Sequence, residues 1–323
     1  MLWHDGRLTD GTTLPFDLTD RGLTLADGVF DTALALSGRV AFVDAHVARL
    51  VASAAALGFT VPAEAAGAAM RALAATGARL AIRTTATRGT GPRGLAPPAD
   101  PRPTLFATAS PSGPGIAFAP LRLRPTAIAR NETSPLARLK ALGYGDAILA
   151  ARDAQAAGFD EALFCNTRRA LACAGTGNLF ALFGDRLVTP PLSDGVLAGI
   201  VRAVVIAEIA PACGLACEER STTLDELRRA DAVFVTNSLR LIAPVSAIGD
   251  AAIGGLGGTG YATEHPALMR LVAALRDRVA AECGVPTGAV AHVTASVTAS
   301  VTTGDIVGNT AGNIAGVTTS VAV

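Results

Sequence analysis

The fold of this chain is decided by the segment Ser134-Pro135-Leu136-Ala137-Arg138-Leu139-Lys140-Ala141-Leu142-Gly143-Tyr144, followed about thirty residues later by Cys173-Ala174-Gly175-Thr176-Gly177-Asn178-Leu179-Phe180. Lys140 alone would mean little, because most lysines are solvated surface charges. What singles it out is its position before a glycine-rich turn that opens an apolar run. The spacing of the two segments therefore makes Lys140 the first candidate for a chemical role.

These segments resemble the class IV (fold type IV) aminotransferases, which bind pyridoxal 5′-phosphate (PLP) as a Schiff base on such a lysine. The similarity extends over about residues 20–245. It implies an α+β, two-domain fold, with a small α/β domain and a larger pseudo-barrel domain. It also implies PLP as cofactor, Lys140 as the catalytic residue and a homodimer, because the family's sites usually draw a loop from a neighbouring subunit.

Composition excludes several other classes of protein. Of 323 residues 50% are hydrophobic, and 27 Lys+Arg balance 27 Asp+Glu, so no net charge attracts nucleic acid or anionic lipid. The longest apolar stretch, residues 195–217, is interrupted by Arg202, Glu208 and Pro211, which argues against a membrane span. Five cysteines would form too few disulfides to stabilise a fold of this size. They also do not cluster with the histidines, as the ligands of a metal site would. We expect a cytoplasmic protein without a metal site.

Local patterns predict the elements of the first 112 residues. Residues 27–36 and 40–42 form a hairpin around Ser37-Gly38, and a helix begins at an Asp44 N-cap and ends at Gly58. Two further strands, at 79–86 and 104–109, are separated by a Gly/Pro-rich loop. We place the small N-terminal domain at residues 1–112.

The second half predicts the larger domain, residues 116–285. Helices are expected at 146–157, 199–209 and 266–283, between short apolar runs at 116–123, 163–165, 179–183 and 232–236. Periodicity leaves a doubly wound sheet open, and the resemblance favours a mostly antiparallel barrel. Residues 286–323 repeat a short Val/Thr/Ala/Ser unit, which predicts a low-complexity, disordered tail.

The resemblance assigns the residues that would hold the cofactor's phosphate. Arg49 matches the family's helix arginine, and Gly199, Ile200 and Val201 match a turn into a helix whose N–H groups bind phosphate oxygens. Asn237 and Ser238 would add amide and hydroxyl donors. Each feature alone has a plain structural explanation, such as a salt-bridged helix arginine. Their occurrence together, in the family's order, favours the cofactor.

Two further positions would contact the cofactor ring. Leu197 matches the residue that packs against the ring, and Tyr144 is placed to bond its phenolic oxygen. The chain departs from the family at Cys173, where the motif has a glutamate facing the pyridine nitrogen. A neutral thiol is a weak hydrogen-bond partner. Asp31 and Glu161 are the acids that could replace the missing carboxylate.

Residues of one loop and one strand indicate the kind of substrate. Arg93 is the expected carboxylate anchor, and Phe30 stands where D-amino-acid transaminases carry tyrosine. Residues 129–140 and 236–239 look most like the 4-amino-4-deoxychorismate lyases, which make 4-aminobenzoate and pyruvate for folate synthesis. The alternatives are a branched-chain or D-amino-acid transaminase of the same fold, and a catalytically silent PLP-binding protein. The enzyme hypotheses imply a small-molecule amino substrate and neither nucleic acid nor a membrane as partner.

Overall fold

The computed structural model describes residues 1–249, 251–252 and 262–291. A six-stranded, wholly antiparallel sheet is built from the first third of the chain, in the order β2-β1-β6-β5-β3-β4. Its strands are β1 (Leu2–His4), β2 (Arg7–Thr9), β3 (Gly28–Leu36), β4 (Arg39–Val40), β5 (Arg79–Thr87) and β6 (Thr104–Pro111). The predicted β3–β4 hairpin and the strands β5 and β6 are thereby confirmed.

Three helices accompany this sheet: α1 (Arg21–Leu25), α2 (Val43–Ala56) and α3 (Ala63–Ala74). Leu50 and Ala54 of α2 are fully buried in one apolar cluster, and Met70 and Leu73 of α3 in another. Helix α2 begins at Val43 instead of after an Asp44 cap, because Phe42 takes the left-handed N-cap position with φ 55°. Asp44 lies in the first turn, where its carboxylate stabilises the helix by interacting with the positive end of the helix dipole.

The second sheet closes on itself. Strand β10 pairs with β13 on one edge and with β9 on the other, so β10-β13-β14-β7-β8-β9 form a barrel, with β11, β12 and β15 attached. Only β7–β8, β7–β14 and β11–β12 are parallel. The strands are β7 (Leu121–Pro125), β8 (Glu161–Cys165), β9 (Leu171–Ala174), β10 (Asn178–Phe183), β11 (Arg186–Thr189), β12 (Ala216–Glu219), β13 (Ala232–Asn237), β14 (Leu241–Ile248) and β15 (Ala251–Ala252). The expected α+β fold with a mostly antiparallel barrel is confirmed.

The helices of this part confirm the sequence pattern to within a few residues. They are α4 (Gly145–Ala156), α5 (Ile200–Val204) continued by a π-helical turn (Val205–Ile209) into α6 (Ala210–Ala212), α7 (Leu224–Leu227) and α8 (Pro266–Cys283). The strand expected at 116–123 begins only at Leu121. Pro114 starts a 3-10 turn instead, and Pro120 has no N–H to donate to a ladder.

The predicted domain boundary near residue 113 stays a prediction, although the two sheets are built from chain segments on either side of it. Residues 286–291, assigned above to the tail, instead carry a 3-10 turn at Thr287–Ala289 and two buried side chains, Val290 and Ala291. The rest of the predicted tail, 292–323, lies outside the described residues. None of the described helices is long and apolar enough to cross a bilayer.

Candidate active site

A cavity of about 750 Å³ lies where β3, β5 and α2 face the barrel. Eleven of the twelve residues that the sequence assigned to cofactor or substrate line it. They are Phe30, Arg49, Lys140, Tyr144, Cys173, Leu197, Gly199, Ile200, Val201, Asn237 and Ser238. The sequence assignments therefore converge on one place, and their individual roles remain predictions.

Lys140 is the only lysine among the 323 residues, which include 26 arginines. Its Nζ lies 3.5 Å from the Tyr144 hydroxyl and 4.6 Å from the centroid of the Phe30 ring. Burial, together with the Arg49 guanidinium, lowers the pKa of the Lys140 amine to about 8. The site therefore holds an amine of which about one tenth is neutral and nucleophilic at pH 7, far more than for an ordinary lysine.

The Lys140 segment is attached to strand β3. The N–H of Leu142 donates to the carbonyl of Gly28 at 3.0 Å, and Val29 and Ala141 form an isolated antiparallel bridge. A Cβ at Gly28 would lie 2.7 Å from the carbonyl oxygen of Ala86 on β5, so the close approach needs glycine here. A loop residue is thus held with the regularity of a strand.

Arg49 reaches the cavity from α2 and is held from behind. Its Nε donates to Asp31 Oδ2 at 2.8 Å and its Nη2 to Asp31 Oδ1 at 2.9 Å. Burial opposes ionisation of Asp31, but bonds from His46 and Arg49 outweigh it and lower the pKa of this carboxyl to about 2. Arg49 is therefore paired with an ionised carboxylate, which fixes the orientation of its guanidinium.

The turn before α5 forms the opposite wall. No side chain caps the N-terminus of α5, so the N–H groups of Ile200 and Val201 are free to bind an anion. A Cβ at Gly199 would lie 1.9 Å from Oδ1 of Asn178, whose Nδ2 donates to the Leu197 carbonyl at 2.9 Å. Only glycine permits this close approach of backbone and asparagine.

The segment between β13 and β14 contributes differently from the prediction. Asn237 uses its side-chain oxygen to accept from the N–H groups of Leu239 and Arg240, and its amide donates to Thr176 at 3.3 Å. Its amide therefore shapes the turn. The hydroxyl of Thr236, which also lines the cavity, is buried and has no partner among the described residues. Thr236 is thus the better-placed donor.

Cys173 is buried in the cavity wall, and burial raises the pKa of its thiol. The positive charge of the nearby Arg130 guanidinium opposes this rise in the pKa of the thiol. Neither candidate acid takes the place of the missing glutamate: Asp31 is engaged by Arg49, and Glu161 accepts from the hydroxyl of Thr176 at 2.9 Å without lining the cavity. A thiol and a guanidinium, rather than a carboxylate, occupy this wall.

Three cavity arginines were missed by the sequence analysis: Arg83, Arg130 and Arg240. The Arg83 guanidinium stacks 3.6 Å from the Phe30 centroid. Among the described residues that line the cavity there is no aspartate or glutamate. Strand alternation places Arg83 on the same face of β5 as Arg79 and Ala81. Arg130 and Arg240 lie outside the strands, and no periodicity marks them.

Arg93, the expected carboxylate anchor, does not line the cavity and is exposed. Its loop is held by Arg21, whose guanidinium donates to the carbonyls of Gly94 and Leu95 at 3.0 Å and ion-pairs with Asp27. This arrangement fixes the loop backbone and leaves the Arg93 side chain in solvent. Arg93 therefore does not reach the cavity of its own chain, and its role as carboxylate anchor stays a prediction.

The model of the amino-transferase class IV family matches residues 28–248. The chain belongs to the class IV aminotransferase family. Members of this family are PLP-dependent enzymes, so PLP is the cofactor that the cavity has to accommodate.

Relatives in this class IV family carry different activities. "Putative branched-chain-amino-acid aminotransferase" of Methanocaldococcus jannaschii is 32% identical over 250 residues, which are 76% of this chain and 86% of the relative. The branched-chain aminotransferase of Thermoproteus uzoniensis superposes with a TM-score of 0.74 at 28% identity, covering 85% and 94% of the two chains. The 4-amino-4-deoxychorismate lyase of Pseudomonas aeruginosa gives 0.68 at 28%, covering 87% and 98%.

Proposed function

We propose that this class IV enzyme is a lyase that converts 4-amino-4-deoxychorismate to 4-aminobenzoate and pyruvate, in cytoplasmic folate synthesis. The observation that carries the proposal is the charge of the cavity, where Arg83, Arg130 and Arg240 stand without an acidic residue in the described lining. This substrate brings two carboxylates, which guanidinium groups bind strongly. A monocarboxylate would leave more of these cations unpaired.

The described residues fit PLP. Lys140 is the one position where arginine, used everywhere else for cationic side chains, could not serve, because a guanidinium does not release its proton. Arg49 and the N–H groups of Ile200 and Val201 would hold the phosphate, and Leu197 would contact the ring. When bound, PLP supplies an electron sink for the carbon that carries the substrate's amine.

The remaining roles follow from position. Lys140 would move the proton at the carbon bearing the amine, acting as general base with the hydroxyl of Tyr144 beside it. Arg83 would bind one substrate carboxylate in place of Arg93. Loss of pyruvate would aromatise the substrate ring, so this reaction would tolerate a thiol, that of Cys173, where the family has a glutamate. The exposed apolar side chains of Leu136, Ile148 and Leu149 would lie in a homodimer interface.

A second candidate is a branched-chain or D-amino-acid transaminase. It is favoured by the apolar residues in the same cavity, Ile116, Leu142, Ile148 and Leu239, which suit an aliphatic side chain. The relative from Methanocaldococcus jannaschii supports the branched-chain variant. The two activities differ in product, because only a transaminase passes the amino group to 2-oxoglutarate.

The unique lysine makes the test of cofactor binding clean. Purified protein is mixed with PLP, reduced with borohydride and digested, and the masses of the peptides are measured by mass spectrometry. We expect the pyridoxyl adduct on the peptide with Lys140 and its disappearance in Lys140→Ala, where the α-amine of Met1 is the only other primary amine. An unchanged amount of adduct in Lys140→Ala would overturn the assignment.

Substrates then separate the candidates. Aminodeoxychorismate should yield 4-aminobenzoate and pyruvate in equal amounts. Leucine or D-alanine with 2-oxoglutarate should yield no glutamate above the level of Lys140→Ala. Glutamate formation would favour the transaminase instead, and no product from any substrate by a correctly loaded protein would favour the silent PLP-binding protein.

A further inference from the structure

Asp31 is the buried carboxylate behind the phosphate arginine, and it does not touch the cavity. Its neighbours Phe30 and Thr32 line the cavity, whereas Asp31 is on the other face of β3, toward α2. Its side chain has no exposed surface. Any influence of Asp31 on a bound molecule must therefore pass through another side chain.

That side chain is Arg49. Two of its five N–H donors bind the two oxygens of Asp31 in a bidentate pair, at 2.8 and 2.9 Å. A third, on Nη1, points to the carbonyl of Ala198 at 3.4 Å, immediately before the α5 turn. The pair thus leaves the outer edge of the guanidinium facing the space between α2 and the N–H groups of Ile200 and Val201.

His46 completes the arrangement. It lies three residues before Arg49 on α2, so the two side chains share a face of the helix. Its Nδ1 is 2.6 Å from Asp31 Oδ1, and the imidazole is 1% exposed. One oxygen of Asp31 therefore serves both residues of α2, and the carboxylate has little freedom to rotate.

We propose that Asp31 and His46 are positioning residues, which hold the Arg49 guanidinium against the phosphate and so make the site selective for the phosphorylated cofactor. The inference deepens the proposed function and rests on Arg49 as a phosphate ligand. Without the carboxylate, Arg49 keeps its charge but loses the bidentate acceptor that fixes its plane. Electrostatic attraction would remain, and the directional bonds to phosphate would be lost.

The test compares PLP with pyridoxal, which has the same aldehyde and no phosphate. Asp31→Asn should raise the Kd for PLP by about tenfold or more, as expected for losing one charge-assisted bond, and change that for pyridoxal by less than about twofold. Asp27→Asn is the matched control. Asp27 also accepts from two arginines, Arg21 and Arg88, but none of the three lines the cavity. It should shift neither Kd.

Two further variants keep the result decisive if Asp31→Asn folds poorly. His46→Asn retains a side-chain N–H near the position of Nδ1 and should preserve the preference for PLP, whereas His46→Leu should weaken it.

In an Arg49→Ala background, Asp31→Asn should have no additional effect on the preference for PLP over pyridoxal, because the two residues act through one contact.

The outcomes separate the two claims. If the wild-type protein does not capture PLP on Lys140, the proposed function is wrong. If the wild-type protein captures PLP on Lys140, the proposed function stands. The positioning role is then overturned if Asp31→Asn weakens the binding of PLP and pyridoxal equally, or if its effect on the preference for PLP adds to that of Arg49→Ala.

Discussion

The backbone N–H of Phe30 donates a hydrogen bond to the carbonyl oxygen of Lys140 at 2.9 Å. The next residue along β3, Asp31, binds Arg49 of α2. One strand of the antiparallel sheet therefore positions both the amine that lies in the cavity and the guanidinium that faces the α5 turn. A strand is rigid on this scale, so β3 fixes the Lys140 amine relative to the Arg49 guanidinium, which we propose as the phosphate ligand.

The low pKa of Lys140 leads to a prediction about pH. Only the neutral amine can attack the cofactor's aldehyde, so the rate of PLP capture by the apoprotein should rise with pH through about 8 and level off above it. An unshifted amine would give a rise near its ordinary pKa of 10.5. Stopped-flow absorbance at a series of pH values measures the midpoint.

The same profile tests the cause of the shift. The Arg83 guanidinium contributes to lowering the pKa of Lys140, so Arg83→Ala should move the midpoint to higher pH. Arg93→Ala removes an arginine that is outside the cavity and should leave the midpoint in place. A midpoint that is the same in all three proteins would show that Arg83 does not contribute, and would leave burial and Arg49 as the causes of the shift.

Cys173→Glu restores the carboxylate that the family carries at this wall. Because aromatisation drives loss of pyruvate, we expect turnover of aminodeoxychorismate to change by less than about tenfold, or ~1.4 kcal/mol in the barrier. Cys173→Ser, which keeps a small neutral group, is the control. Steady-state kcat for the three proteins decides the matter: a larger gain in the glutamate variant would show that cysteine is not adequate for the reaction.

Arg83→Leu and Arg93→Leu separate the observed cavity from the one expected from sequence. Loss of a guanidinium that binds a substrate carboxylate should raise KM about tenfold or more, with a smaller effect on kcat. We expect this for Arg83, which lies over Phe30 in the cavity, and a change within about twofold for Arg93. The reverse ranking would place the substrate against the loop of residues 88–103.

What the sequence could predict depended on how local the signal was. Helix α8 was predicted with its observed bounds because Pro266 and Gly284 mark its two ends. The Lys140 and Gly199 segments were identified from short contiguous motifs. No local pattern indicates that Arg93 lies outside the cavity of its own chain, because its loop is held by Arg21, which lies 72 positions earlier in the chain. Arg130 and Arg240 enter the cavity only through the way the barrel closes, which no window of sequence records.

Gly199→Ala tests whether the turn before α5 has no room for a side chain at this position. The added methyl would lie 1.9 Å from Oδ1 of Asn178, so either the asparagine or the turn has to move. Movement of the turn displaces the N–H groups of Ile200 and Val201, and the Kd for PLP should rise by about tenfold or more, as for a lost charge-assisted contact. Calorimetric titration of the apoprotein with PLP measures it.

Two companion variants identify the cause of that loss. Gly145→Ala adds the same methyl at the start of α4, where no heavy atom lies within 4 Å of the new Cβ, and should leave the Kd unchanged. Asn178→Ala in the Gly199→Ala background removes the atom that the methyl meets, so the double variant should bind PLP better than Gly199→Ala alone. Equal Kd values for the single and double variants would show that the glycine is needed for its backbone conformation and not for the space beside Asn178.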